Sequence, residues 1–264
     1  MSVQVVSDLH LEATKAYDYF EIVPKAPTLA LLGDIGSIHA HEAEFLGFLT
    51  RQLTAFRTVL FVPGNHEAYR SSWPQVLASL RKLEDQSRND PSLGEFLLMD
   101  RTLFRVPDSN TVVLGCSLFS YVPPESHHDV SMGLNDFFFI NDWDVDAHNE
   151  AHLRDVAWLN EQVAELEQTD NNIMIFTHWS PSKDVRAADP KHAGSLIASG
   201  FSTDLSQEVC FKSKKVAVWA FGHTHFNCDF TVSREDALPL RLLANQRGYF
   251  AEAGGFDAEK VVAV

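Results

Sequence analysis

Five times along the chain a short apolar run stops on residues able to hold a metal ion. Val3-Gln4-Val5-Val6 leads to Asp8 and His10, Thr28 to Leu32 leads to Gly33-Asp34, and Thr58 to Val62 leads to Asn65-His66. Later, Asn172 to Phe176 leads to His178, and Val216 to Ala220 leads to the pentapeptide Phe221-Gly222-His223-Thr224-His225. Apolar runs of this length, bounded by turn formers, read as buried strands. Ligands of open α/β sheets gather outside the carboxyl ends of the strands, so the pattern predicts that these five ends share one edge.

The segments between them carry helical spacing. Phe45, Leu46, Leu49, Leu53 and Phe56 recur with it over 39–56, a second helix is predicted from about Trp73 to Glu84, and a third from about Val145 to Gln168. In the third, Leu153, Val156, Leu159, Val163 and Leu166 form the predicted buried stripe. Shorter strands are predicted at 95–99, 103–106 and 111–116. The alternation of strand and helix is the βαβ rhythm of a parallel or mixed sheet. With 264 residues, 45% of them apolar, and no repeat or linker, the chain is expected to form a single domain over 1–264. Two stretches, about 117–144 and 179–201, lack periodicity and are too long for plain connectors, which marks them as substrate-facing.

Composition excludes several classes of function. Lys and Arg number 21 against 36 Asp and Glu, a formal charge of −15, and no basic run offsets it, which argues against a nucleic-acid partner. The three cysteines, Cys116, Cys210 and Cys228, are scattered and suggest neither a disulfide framework nor a zinc-thiolate site. No basic leader and no long apolar segment is present, so the expectation is a cytoplasmic protein without a membrane span.

The donors at the strand ends comprise two carboxylates, one amide oxygen and at least four imidazoles, with no thiolate. That set suits Mn, Fe or Zn better than calcium or a structural zinc. It exceeds what one open catalytic ion needs, whereas two ions about 3.5 Å apart, bridged by a carboxylate, would use it. Strand geometry puts His223 and His225 on one side, as though to chelate one ion.

In order along the chain, Asp8-x-His10, Gly33-Asp34, Gly64-Asn65-His66-Glu67, Thr177-His178 and Gly222-His223-Thr224-His225 resemble the motif set of the calcineurin-like metallophosphoesterases. The later Leu242-Leu243-Ala244-Asn245-Gln246-Arg247-Gly248-Tyr249 is similar to a segment that follows the last histidine motif in many members. The resemblance implies a four-layer sandwich of two mixed β-sheets flanked by helices, with a dinuclear metal site at the sheet edge. It assigns Asp8, His10 and His225 to one metal, Asn65, His178 and His223 to the other, and Asp34 to the bridge. It thereby splits His223 from His225, against the strand-pair reading. His66 matches the family's histidine that contacts the phosphoryl group or protonates the departing oxygen. One position departs: many members read GDxxD, where the second Asp orients that histidine, whereas this chain has Ser37. The GDxVDRG loop of the protein Ser/Thr phosphatases is also missing.

The implied activity is hydrolysis of a small-molecule phosphate monoester or diester by a metal-bridging hydroxide, with Asp34 and His66 as catalytic residues. Substrate choice is expected from the two aperiodic stretches, where His127, His128, Phe137, Phe138, Phe139, Lys183, Arg186, Lys191 or His192 would face the site, with Arg247 a further candidate. A metal-dependent nuclease shares every ligand and differs in partner. A non-catalytic scaffold on the same fold is the alternative of another class, and the intact donor set weighs against it.

Overall fold

The computed structural model describes residues 2–234, 237–250 and 253–263. One sheet contains β1 (Ser2–Val6), β2 (Thr28–Leu31), β3 (Thr58–Phe61) and β4 (Glu95–Leu98), all parallel. The second contains β5 (Thr102–Arg105), β6 (Thr111–Cys116), β7 (Asn172–Thr177), β8 (Val216–Phe221), β9 (Cys228–Arg234) and β10 (Ala237–Ala244), ordered β5-β6-β7-β8-β10-β9. In it β6, β7, β8 and β10 are parallel, and β5 and β9 pair antiparallel at the edges. Antiparallel β11 (Val261–Ala263) completes the first sheet in the order β11-β1-β2-β3-β4, so both sheets are mixed.

Alternation along the strands divides the core. Val3, Val5, Ala30, Leu60, Val113, Met174, Val218 and Leu243 form a cluster drawn from one face of both sheets. Their neighbours Val6, Leu29, Leu31, Val59, Phe61, Leu114 and Ile175 belong to a larger cluster shared with the helices. The helices are α1 (Leu11–Thr14), α2 (Glu42–Ala55), α3 (Trp73–Asn89), α4 (His127–Gly133), α5 (Asp136–Phe139), α6 (Val145–Leu166) and α7 (Val209–Lys212). With α2 and α3 beside the first sheet and α6 and α7 beside the second, helices flank two mixed sheets, as expected.

Three expectations need correction. The stretch after β6 contains α4 and α5, and 179–201 contains three 3-10 turns at Val185–Ala187, Pro190–His192 and Ala198–Gly200. Strands β9, β10 and β11 lie beyond every strand predicted from the sequence. On α6, Leu153 is exposed, and the buried face includes His148, His152, Asp155, Leu159, Val163 and Leu166. The polar members of that face serve the chain leaving β6. His148 Nε2 accepts from Ser120 N at 3.1 Å, His152 Nδ1 meets Leu118 O at 3.0 Å, and Asp155 accepts from Leu118 N at 2.7 Å. Buried backbone groups without a ladder partner need such side chains, so the stripe is polar at that end.

The parallel strands also bring their carboxyl ends together across the two sheets. Ser7 bridges to Gln246 beyond β10, and Ser117 Oγ donates to Pro63 O at 2.7 Å. No helix among the described residues is long and apolar enough to cross a membrane.

Candidate metal centre

All eight candidate residues converge at this shared edge. Asp8, His10, Asp34 and His225 bring their ligand atoms within 4.8 Å of one another, and Asp34, His178 and His223 form a second such group. Asn65 Oδ1 extends the second group, 3.2 Å from His178 Nε2. Asp34 belongs to both, the position a bridging carboxylate requires.

The backbone holds these donors in uncommon conformations. Asp8, His10, Asp34, His223 and His225 all have positive φ, 52°, 45°, 52°, 67° and 49°. Each such residue costs about 1–3 kcal/mol, which surrounding contacts must offset. Two supports are close approaches that a side chain would block: a Cβ on Gly222 would strike Ser7 Oγ and Asp8, and one on Gly64 would strike Asp34. Gly222 itself is not left-handed; the turn after β8 is made by His223 and His225. Those two rotations send the rings to different groups, where an extended strand would keep them together.

Hydrogen bonds select which atom of each donor faces inward. His178 Nδ1–H donates to Leu32 O at 2.7 Å, leaving Nε2 to face Asn65 and Asp34. Asn65 Nδ2 donates to Asp136 at 2.8 Å and to Tyr69 at 3.0 Å, which turns the amide oxygen inward. Asp8 accepts from His223 N at 3.1 Å, and Gln246 accepts from His225 N at 2.6 Å. Glu67 lies turned away from His66, its carboxylate accepting from Asp34 N, Ile35 N, Gly36 N and Gly64 N. Burial, with Asp34 nearby, pushes its carboxyl up to about 7.

The residues fit a pair of cations. His223 Nε2 is buried and makes no hydrogen bond, and burial holds this imidazole well below its ordinary pKa, in the neutral form that binds metal. His10 Nε2 and His225 Nε2 approach to 2.9 Å, with Asp8 and Asp34 carboxylates 3.3 to 3.9 Å from one or the other. Burial would raise the Asp34 carboxyl, but His178, His66 and His10 hold it well below the usual range, so it is anionic.

His66 stands beside these groups. Its Nδ1 lies 2.7 Å from Glu12 Oε1 and its Nε2 lies 2.9 Å from the Tyr249 hydroxyl. Burial opposes charge on this ring, yet Asp34 and Glu12 outweigh it and raise the pKa to about 9. The Tyr249 ring also lies over His10, centroids 4.2 Å apart. Sequence reasoning missed Glu12, Tyr69, Asp136 and Tyr249. Glu12 stands two positions past His10 and Tyr69 four past Asn65, but adjacency in sequence does not single them out.

Of the residues expected to face the site from the aperiodic stretches, His192 alone lines the adjoining cavity. Arg186 pairs with Asp184 and lies over Phe230, and Lys191 pairs with Asp189. Arg247 donates to Leu9 O at 2.7 Å and lies over Phe20.

A family model described as calcineurin-like phosphoesterase matches residues 1–227. Among solved structures, a phosphopantetheinyl hydrolase from Mycobacterium tuberculosis superposes with a TM-score of 0.68 at 15% identity, over 99% of this chain and 95% of that one. A dimetal phosphatase from Danio rerio superposes with a TM-score of 0.57 at 15% identity, over 95% and 88%. At such identity the likeness is one of fold. No curated protein sequence matches the chain significantly.

Proposed function

Because the chain belongs to the calcineurin-like phosphoesterases, whose chemistry is metal-dependent hydrolysis of phosphate esters, we propose that it cleaves a small phosphate monoester or diester at a two-metal centre. Asp8, His10 and His225 would hold one ion, Asn65, His178 and His223 the other, and Asp34 both. The observation that carries this reading is the pair of donor groups sharing the Asp34 carboxylate. When bound, such a pair supplies Lewis acidity toward the phosphoryl oxygens and lowers the pKa of a water nucleophile.

The chain's own residues supply the rest. Asp34, anionic and shared by the two donor groups, would offset the mutual repulsion of two cations. Asp136 and Tyr69 fix the Asn65 amide so that its oxygen, the better ligand, faces inward. His66, its Nδ1 held by Glu12, directs Nε2 to the place now occupied by the Tyr249 hydroxyl. A departing oxygen received there would take its proton from His66. Glu12 thus replaces the carboxylate that Ser37 cannot provide.

Metal analysis of protein purified without chelator, followed by assays on phosphomonoesters and diesters with Mn, Fe and Zn, tests the proposal. Phosphopantetheinyl esters belong in that panel on the strength of the fold relative's name. About two metals per chain and metal-dependent phosphate release are expected. Metal-free protein that no metal activates would refute it.

A further inference from the structure

The cavity beside the metal centre has a volume of about 330 Å³, at the lower end for small-molecule pockets. Besides the candidate site residues and Tyr69, Thr224 and Tyr249 beside them, its wall comes from the stretches after β6 and after β7. They interlock: a Cβ on Gly133 would strike Ile197, and one on Gly200 would strike Leu134. Val122, Val130, Leu134 and Val145 form a small core of their own, with Phe137, Ile197 and Phe201 against it. The wall is therefore a packed surface. Phe201 also stacks on His223, ring centroids 4.9 Å apart at 26°, so apolar surface begins at a ligand.

Away from the centre and its His66, the charged side chains of this wall are carboxylates. Among the described residues lining the cavity there is no Lys or Arg, while Asp136 and Asp189 contribute carboxylates. His192 is the one imidazole outside the centre itself. Lys191 is paired with Asp189 at 2.8 Å and lines a neighbouring cleft. A phosphate away from the metals would be desolvated among Leu134, Ile197 and Phe201 with no Lys or Arg on the wall to pair it.

We infer that the substrate carries a single phosphoryl centre on an uncharged, largely apolar organic group, and that this wall rejects a second phosphate. The inference rests on the phosphoesterase reading above, but its test reads binding. Metal-loaded protein is titrated calorimetrically with hexylphosphonate and with hexane-1,6-bisphosphonate, which differ only at the far end. The first should bind at least about tenfold more tightly. Ala198→Lys, at an exposed position on the wall, should shrink or reverse that ratio. Equal or tighter binding of the bisphosphonate by the unaltered protein, no binding of either compound, or a ratio unmoved by the lysine would overturn it. If hexylphosphonate binds as expected while no phosphate ester is hydrolysed, the phosphoesterase reading falls and the pocket assignment stands.

Discussion

The Glu12 carboxylate accepts the Nδ1 proton of His66 at 2.7 Å, so the acidic partner of this imidazole comes from α1 instead of the loop after β2. Burial alone would raise the Glu12 carboxyl, but His10 and His66 hold it at about 2, and it is ionised throughout the neutral range. Ser37, where related chains often have the acid, is buried with a hydroxyl that makes no hydrogen bond.

A carboxylate that reaches the departing oxygen only through the His66 ring would act through proton transfer, which poor leaving groups need and good ones do not. Glu12→Gln and His66→Ala should therefore retain both metals and slow alkyl phosphate turnover by about 10²-fold, with a much smaller effect on nitrophenyl esters. Equal slowing of both substrate types would make the pair a phosphoryl-positioning device.

Asp34 belongs to both donor groups, and on the proposed reading its negative charge would let two cations sit close. Asp34→Asn should bind about one metal per chain and lose nearly all hydrolysis while circular dichroism stays unchanged. Two retained metals with near-normal turnover would rule out the bridging role.

Each of His223 and His225 belongs to a different donor group. His223→Ala and His225→Ala should thus each leave about one metal, held by Asp8, His10, Asp34 and His225 in the first variant and by Asp34, Asn65, His178 and His223 in the second. Anomalous diffraction at the metal edge distinguishes the sites. The same vacancy in both crystals would restore the simple strand pair.

His148 sits under the wall of the cavity, and burial depresses its pKa from 6.5 to about 3. The folded chain keeps it neutral while the unfolded chain takes up a proton below about pH 6.5. Its contribution to stability is complete above that pH and is lost toward pH 3, by up to about 1.4 kcal/mol per pH unit. His148→Gln, which preserves an acceptor for Ser120 N, should flatten this acid limb in denaturant titrations at pH 7, 6, 5 and 4. Parallel pH profiles for variant and wild type would exclude His148 as the cause.

Much of the donor set is local in origin. Each metal-ligand candidate follows a strand within a few residues, and strand length, apolar patterning and turn chemistry are properties of short windows. The strands that carry the donors and the edge their ends share could therefore be anticipated from short windows. The division into two mixed sheets is implied by the family resemblance and rests in part on β9 and β11, which lie beyond every predicted strand. The direction of each side chain is another matter. His223 and His225 part company because both are left-handed, a state stabilised by Asp8 and Gln246, which hold their backbone amides from 215 and 21 residues away. Glu12 reaches His66 across 54 positions, and Asp136 reaches Asn65 across 71. No Lys or Arg among the described residues lines the cavity, and Arg186, Lys191 and Arg247 pair instead with carboxylates, a carbonyl and aromatic rings. A side chain's direction is set by whichever partner lowers its free energy in the folded chain, and for these residues that partner is supplied by packing between segments that local sequence does not relate.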